Sequence, residues 1–159
     1  MLGKLADKES VATLIELLSS DPEVDVRRKA AMALGSIGDA QAVPALTAAL
    51  SDSTFGVRAH AAWALGLMGE KGAYDAVVKL LDDDYSYVVG MAVRALGAMG
   101  DPRAIDVLVG RLETAPPSVQ AEMVYALDAL GRKDALTVLE GSPHPVVFDA
   151  LRAIRSKTE

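Results

Sequence analysis

The sequence predicts an all-α fold, a right-handed α-α superhelix built as a solenoid of about five two-helix repeats of 31 residues. The first observation is a period: Gly38, Gly69, Gly100 and Gly131 recur every 31 residues, and Val26, Val57, Val88 and Val119 recur in step with them. The second is composition, 51% hydrophobic but only 4% aromatic, which asks for a core of closely packed Ala, Leu, Val, Ile and Met. Such residues favour helix over sheet, and no alternating strand pattern competes. The third is punctuation. "GD", "GE" and "GD" at positions 38, 69 and 100 read as a glycine that stops one helix and an acid that caps the next.

Each unit divides into a shorter A helix and a longer B helix. In the first clear unit, Asp21 is the expected N-cap, Pro22 suits the first helical position and Glu23 complements the positive end of the helix dipole. That B helix should stop before Gly38, with Asp39 capping the next A helix. "AQAVPALTAAL" then places Val43, Leu46 and Leu50 on one face of a short helix, with Pro44 in its first turn. Carried along the chain, the pattern predicts helices at 8–19 and 22–37, 40–50 and 54–68, 71–82 and 85–99, 102–113 and 117–130, then 133–140 and 145–156. The repeats fall at 8–39, 40–70, 71–101 and 102–132, followed by a shortened cap repeat at 133–159.

Both ends are irregular. "LGKLAD" at Leu2 to Asp7 matches "LGSIGD" at Leu34 to Asp39, so residues 1–7 read as the tail of a truncated preceding B helix. That implies a neighbour at the N-terminal end: a longer solenoid or a second copy of the chain, with a plain capped end as the alternative. At the other end Val146 aligns with Val119, and Arg152, Arg155 and Lys157 suit a polar terminal cap.

Charge and composition exclude several functions. A net charge of −6 argues against a general nucleic-acid binder, which needs a basic stripe to displace counterions from phosphates. With no cysteine there is no disulfide framework, thiolate metal site or cysteine nucleophile. "MLGKLADKES" lacks a signal-peptide core, and no run approaches the ~20 apolar residues that span a bilayer. The expected location is the cytoplasm, without membrane contact. Asp82 to Asp84 read as one N-cap and two solvated charges, and neither His60 nor His144 has ligand or triad spacing. No catalytic, cofactor or metal residue is assigned.

"DPEVDVRRKAAMALGSIGD" and "STFGVRAHAAWALGLMGE" resemble the HEAT-like repeats named after phycobilisome lyase subunits, over almost the whole chain. The resemblance implies a solenoid whose B helices line a concave surface. It also implies a ladder between units made by an Asp and an Arg six residues apart. Asp21/Arg27 and Asp52/Arg58 fit, whereas Asp83 is followed by Val89 and Thr114 by Gln120, so the ladder should run out halfway.

The helix period then picks out a groove. At about 100° per residue from Val57, Ala61, Ala64, Leu65 and Met68 lie within about 80° of it, and Trp63 falls near 240°, across the helix. Its column reads Met32, Trp63, Arg94, Tyr125, Arg152. Flanking columns add Arg28 and Phe148 on one side, and Lys29, His60, Met91 and Glu122 on the other, with Asp149 aligned behind them. Tyr74, Tyr85, Tyr87 and Phe55 are candidates for one rim. Helices ~8–10 Å apart would set a stripe ~35–40 Å long, suited to a partner helix or extended segment. Trp, Tyr and Arg are residues enriched at binding hot spots.

The expected function is therefore a non-catalytic protein-interaction scaffold. The resemblance implies a runner-up, a subunit of a bilin lyase or other tetrapyrrole-handling complex. A HEAT-like DNA-repair protein is a weaker third, because Glu122 and Asp149 interrupt the groove's cations. A deoxyhypusine hydroxylase, which binds iron through His-Glu pairs, is excluded because the sequence contains no His-Glu dipeptide.

Overall fold

The computed structural model describes residues 2–156, with the side chains of 10–156 apart from Lys133 and Val138; Lys157 of the expected cap lies outside the described residues. Nine α-helices fall among these residues: α1 (Leu2–Ser20), α2 (Val24–Ile37), α3 (Val43–Ala49), α4 (Phe55–Leu67), α5 (Tyr74–Lys79), α6 (Ser86–Met99), α7 (Arg103–Arg111), α8 (Pro117–Ala129) and α9 (Pro145–Arg155). The B helices α2, α4, α6, α8 and α9 pack on one another in series, while α1, α3, α5 and α7 each lean on the B helix of their own unit. This is an all-α solenoid of two-helix units.

The glycine punctuation works as the period predicts. Gly38, Gly69, Gly100 and Gly131 all sit in the left-handed region, at φ of 71°, 63°, 63° and 76°, where a Cβ is costly. Asp39 and Glu70 then turn the chain into the next A segment by accepting hydrogen bonds from the Gln41 and Gly72 backbone N–H groups.

Three expectations about element bounds change. The chain does not break at Asp7: α1 runs unbroken from Leu2 to Ser20, because the position equivalent to Gly38 holds Ala6 and nothing favours a left-handed stop. The second helix starts at Val24, not 22. Asp21 spends its carboxylate on the Glu23 N–H two residues ahead (2.8 Å), which holds Glu23 extended and delays the helix. The A segments are shorter than expected and partly 3₁₀, at Ala40–Ala42, Lys71–Ala73 and Leu80–Asp82. The last, Lys133–Leu139, is 3₁₀ throughout.

Leu34, Leu65, Leu96 and Leu127, one per unit, are completely buried between A and B layers. Beside them the B helices approach unusually closely. A Cβ on Gly35, Gly66 or Gly97 would lie 2.6, 2.6 or 2.9 Å from its nearest atom, in Ala64, Ala95 or Ala126 of the following B helix. A mid-helix glycine costs about 1 kcal/mol against alanine, and here the recurring glycine is what lets two backbones meet. The B helices are consequently buried on three sides. Ala59 and Ala62 are sealed along with Val57, Ala61, Ala64 and Leu65, a wider arc than the single stripe the helical wheel predicts.

Candidate functional site

The inter-unit ladder positions the B helices against each other. Arg27 Nε and Nη2 donate to the Asp52 carboxylate at 2.9 and 3.2 Å, and its Nη1 donates to the Asp21 carbonyl at 2.9 Å. One unit on, Arg58 repeats the arrangement with Asp83 at 2.8 and 3.1 Å and with the Asp52 carbonyl at 2.9 Å. The same acids accept hydrogen bonds from the Thr54 and Tyr85 backbone N–H groups, turning the chain into α4 and α6. The Arg58 guanidinium holds the Asp83 carboxyl below the usual carboxylate range. At Asp52, burial pushes the carboxyl up, and hydrogen bonds from Arg27 and Thr54 more than offset it, leaving its pKa lowered.

As expected, the ladder stops at Val89 and Thr114. Pro116 supplies a reason the alignment did not: it lacks the N–H that an acid at 114 would cap. Buried Gln120 takes over by donating to the Leu112 and Glu113 carbonyls at 3.0 and 3.4 Å. A cavity of about 270 Å³ remains where the next guanidinium would lie, lined by Leu81, Asp83, Val89, Thr114, Val119 and Met123 among others. Asp82 to Asp84 resolve into structural parts, since Asp83 serves the ladder and Asp82 meets Arg111 at 3.1 Å. Among the described residues no three His, Asp or Glu side chains converge as a metal site, and no helix is long and apolar enough to cross a membrane.

Along the B-helix face, Met32, Arg94 and Tyr125 are exposed and Trp63 is half-buried, packed in part against the core. Arg152 is exposed but leaves the expected column: α9 starts at Pro145 as α8 does at Pro117, so buried Val147, not Val146, answers to Val119, and Ala153 answers to Tyr125. Arg28 lies along the start of the next B helix, its Cδ 3.7 Å from where a Gly56 Cβ would stand, and it pairs with Asp25 at 3.2 Å. Lys29, Phe148 and Asp149 are exposed, while Glu122 is half-buried.

Two expectations for this face are corrected by packing. Met91 is only 8% exposed, because α6 is enclosed by α4 and α8, so it lies beneath the face as a floor residue. Tyr74 is buried beneath the Arg103 guanidinium, 4.0 Å from its ring centre, and forms no rim.

The rim is formed instead by Phe55, Tyr85 and Tyr87. Phe55 stacks on Tyr85 at 4.7 Å between centroids and meets Tyr87 edge-on at 6.4 Å. His60 lies 6.3 Å from Tyr87, with Nδ1 2.7 Å from the Gly56 carbonyl. The sequence placed these rings at helix starts; their contact follows from the 31-residue offset that sets Phe55 beside position 86 of the next B helix, so that Tyr85 and Tyr87 flank it.

Two depressions open between α6 and α8. One, of about 420 Å³, is lined by Arg94, Gly97, Ala98, Glu122, Tyr125, Ala126 and Ala129. The other, of about 320 Å³, is lined by Ser86, Tyr87, Gly90, Met91, Arg94, Ser118 and Glu122. Arg94 and Glu122, 3.6 Å apart, stand between them. Small residues at 90, 97, 98, 126 and 129 are what hollow these places out, a signal legible only once the columns are aligned.

Comparison with known proteins agrees with this architecture. The chain belongs to the HEAT-repeat family, whose model matches residues 1–58, 43–128 and 87–155. It is similar to a chain of the CpcE–CpcF complex of phycocyanin lyase from Nostoc sp. PCC7120 (26% identity over 92% of this chain, TM-score 0.78), spanning 64% of that chain's length. A designed armadillo repeat protein in complex with the peptide (KR)4 matches at 24% identity, with 99% of this chain and 85% of that one covered and a TM-score of 0.68. Human deoxyhypusine hydroxylase in complex with glycerol also matches at 24%, covering 90% of this chain and 50% of that one, with a TM-score of 0.64. The last two attest the fold alone. No curated protein matches the chain.

Proposed function

We propose that this chain is a non-catalytic interaction scaffold that binds a protein segment, helical or extended, in the groove formed by the open faces of its B helices. The observation that carries this reading is the column Met32, Trp63, Arg94, Tyr125. Four successive helices present large or adhesive side chains at one register on their open faces, with two depressions beside its C-terminal end. A solvated face without a partner needs only Glu, Lys and Gln, whereas Trp, Tyr and Arg bury large areas and keep a polar group for orientation. Capture from the source lysate with the parent chain beside a Trp63→Ala/Tyr125→Ala variant tests it. One defined band should disappear while circular dichroism shows the fold intact; identical eluates would defeat the proposal.

A second reading is that the chain serves as a subunit of a bilin lyase or other tetrapyrrole-handling complex. It is supported by the 26% identity with the phycocyanin lyase chain over 92% of this sequence. Titration with an open-chain tetrapyrrole should then shift the pigment's visible absorbance, and an unchanged spectrum would remove this alternative.

A further inference from the structure

The residue that follows the repeated valine at 26, 57, 88 and 119 ties its B helix to the turn before it in three of the four units. Arg27 and Arg58 each donate through Nη1 to the carbonyl six residues earlier, on Asp21 and Asp52, at 2.9 Å. Gln120 does the same for the Leu112 and Glu113 carbonyls. In α6 that place holds Val89, which has no donor to offer. The carbonyl six residues before it, on Asp83, accepts no hydrogen bond among the described residues. The acid side changes as well. Each ladder arginine reaches a carboxylate 25 residues ahead, and 25 residues ahead of Val89 stands Thr114. The Thr114 hydroxyl donates to the Arg111 carbonyl at 3.3 Å and so keeps its oxygen lone pairs for another donor.

The cavity of about 270 Å³ lies between these two acceptors: Asp83 and Thr114 line it together with the apolar side chains of Leu81, Val89, Val119 and Met123. It opens beside the exposed Ser86 and Thr114, and none of Met32, Trp63, Arg94 and Tyr125 lines it. The charged groups that line it are Asp83, whose carboxylate Arg58 holds, and Arg111, which Asp82 meets at 3.1 Å. Asp84 follows in the same loop, so three acids stand against two arginines and leave one negative charge in excess. We infer that this cavity binds a guanidinium or amidinium group from another molecule, in the place that a third ladder arginine would fill. A planar cationic fork of N–H donors meets the Asp83 carbonyl and the Thr114 hydroxyl together, as Arg58 meets the Asp52 carbonyl and the Asp83 carboxylate, while the apolar walls cover its hydrocarbon. An ammonium is a compact, strongly hydrated point charge and matches this pair of acceptors less well. The group has two sources, a free small amidine or an arginine side chain of a partner chain.

The test is titration of the whole chain followed by its backbone amide NMR signals. The probes are benzamidine, its ring analogues benzylamine and benzamide, and the peptide acetyl-Gly-Arg-Gly-amide. Benzamidine should move the Val89, Thr114 and Val119 signals and bind about fivefold or more tighter than either ring analogue, as expected for charged, bidentate hydrogen bonding. Thr114→Asp adds a carboxylate at the mouth and should tighten benzamidine by about tenfold. Val89→Arg fills the cavity with the chain's own guanidinium and should abolish binding. Tyr125→Ala, outside the cavity, should leave it within about twofold. Movement of the same signals by the arginine peptide makes a partner's side chain the source, and a response to benzamidine alone makes it a free small compound. Silence of these signals with both probes, equal binding of benzylamine or benzamide, or undiminished binding by a folded Val89→Arg chain overturns the inference. If Val89→Arg does not fold, Thr114→Asp decides, since unchanged affinity there overturns it equally.

Discussion

The two halves of this solenoid are joined differently. Between α2, α4 and α6 each step combines an Arg–Asp bridge with a glycine–alanine backbone approach. Between α6 and α8 the backbone approach persists through Gly97 and Ala126, but the bridge is gone, Gln120 holds the turn, and a cavity remains at Val89 and Thr114. Between α8 and α9 the glycine too is replaced, by Asp128. The polar ladder and the close helix approach are therefore separable devices. The half that relaxes the ladder is also the half where the two depressions open beside Arg94, between α6 and α8.

The largest expected effect tests the close approach. Gly66→Ala would put a Cβ 2.6 Å from the Ala95 Cα, so α4 and α6 must separate, at a cost of about 3 kcal/mol in urea unfolding. Gly110→Ala in α7 meets nothing within 4 Å and should instead stabilise by about 0.5–1 kcal/mol through helix propensity. Equal and small changes at both sites would show that the backbones are not in contact.

Next in size is the ladder. Arg58→Met leaves the largely buried Asp83 carboxylate without its partner and should cost about 2 kcal/mol. Val89→Arg/Thr114→Asp would extend the ladder one step and occupy the cavity. Its gain should be smaller, about 1 kcal/mol or less, because Pro116 offers no N–H to the new acid, and adding Pro116→Ser should increase it. If the first change is neutral, the N-terminal joints owe nothing to the bridge and the contrast between the halves disappears.

The smallest effect is a pH term. Asp52 and Asp83 have pKa values lowered by folding, so they contribute stability that is complete above the unfolded value near 3.9 and is lost as pH falls through the folded value. Unfolding midpoints should be level in this respect from about pH 5 to 8 and decline below about pH 4. Asp83→Asn should flatten part of that acid limb, and an unchanged limb would assign acid sensitivity to other carboxylates.

Much of the fold was legible because its signals are local and repeated. The 31-residue period, the stop glycines and the caps at Asp39 and Glu70 need no tertiary context, since a left-handed residue or an Asx turn is decided within a few bonds. The same local logic, applied to Ala6, explains the unbroken α1. The candidate face was legible as a column through Met32, Trp63, Arg94 and Tyr125, because a repeat places equivalent residues at equivalent angles. Its depth was not. Met91 and Trp63 occupy neighbouring columns at similar wheel angles to Lys29 and Met32, yet the helices on either side cover the middle units and leave the first unit open. The last unit's register was not legible either: the shortened A segment shifts it by one, so Val147, completely buried, takes the place of Val119 that Val146 was expected to take.

The sequence by itself determined that this chain is an all-α solenoid of two-helix units, where its B helices stop, and where the ladder ends, since those depend on residue identity and spacing. Only the tertiary structure decided which members of each column reach solvent, which arginines are consumed by internal acids, and where small residues open depressions. Burial and ion pairing are properties of neighbours brought together from about 25 to 31 residues away, and a one-dimensional pattern records the register of those neighbours without recording how closely they approach.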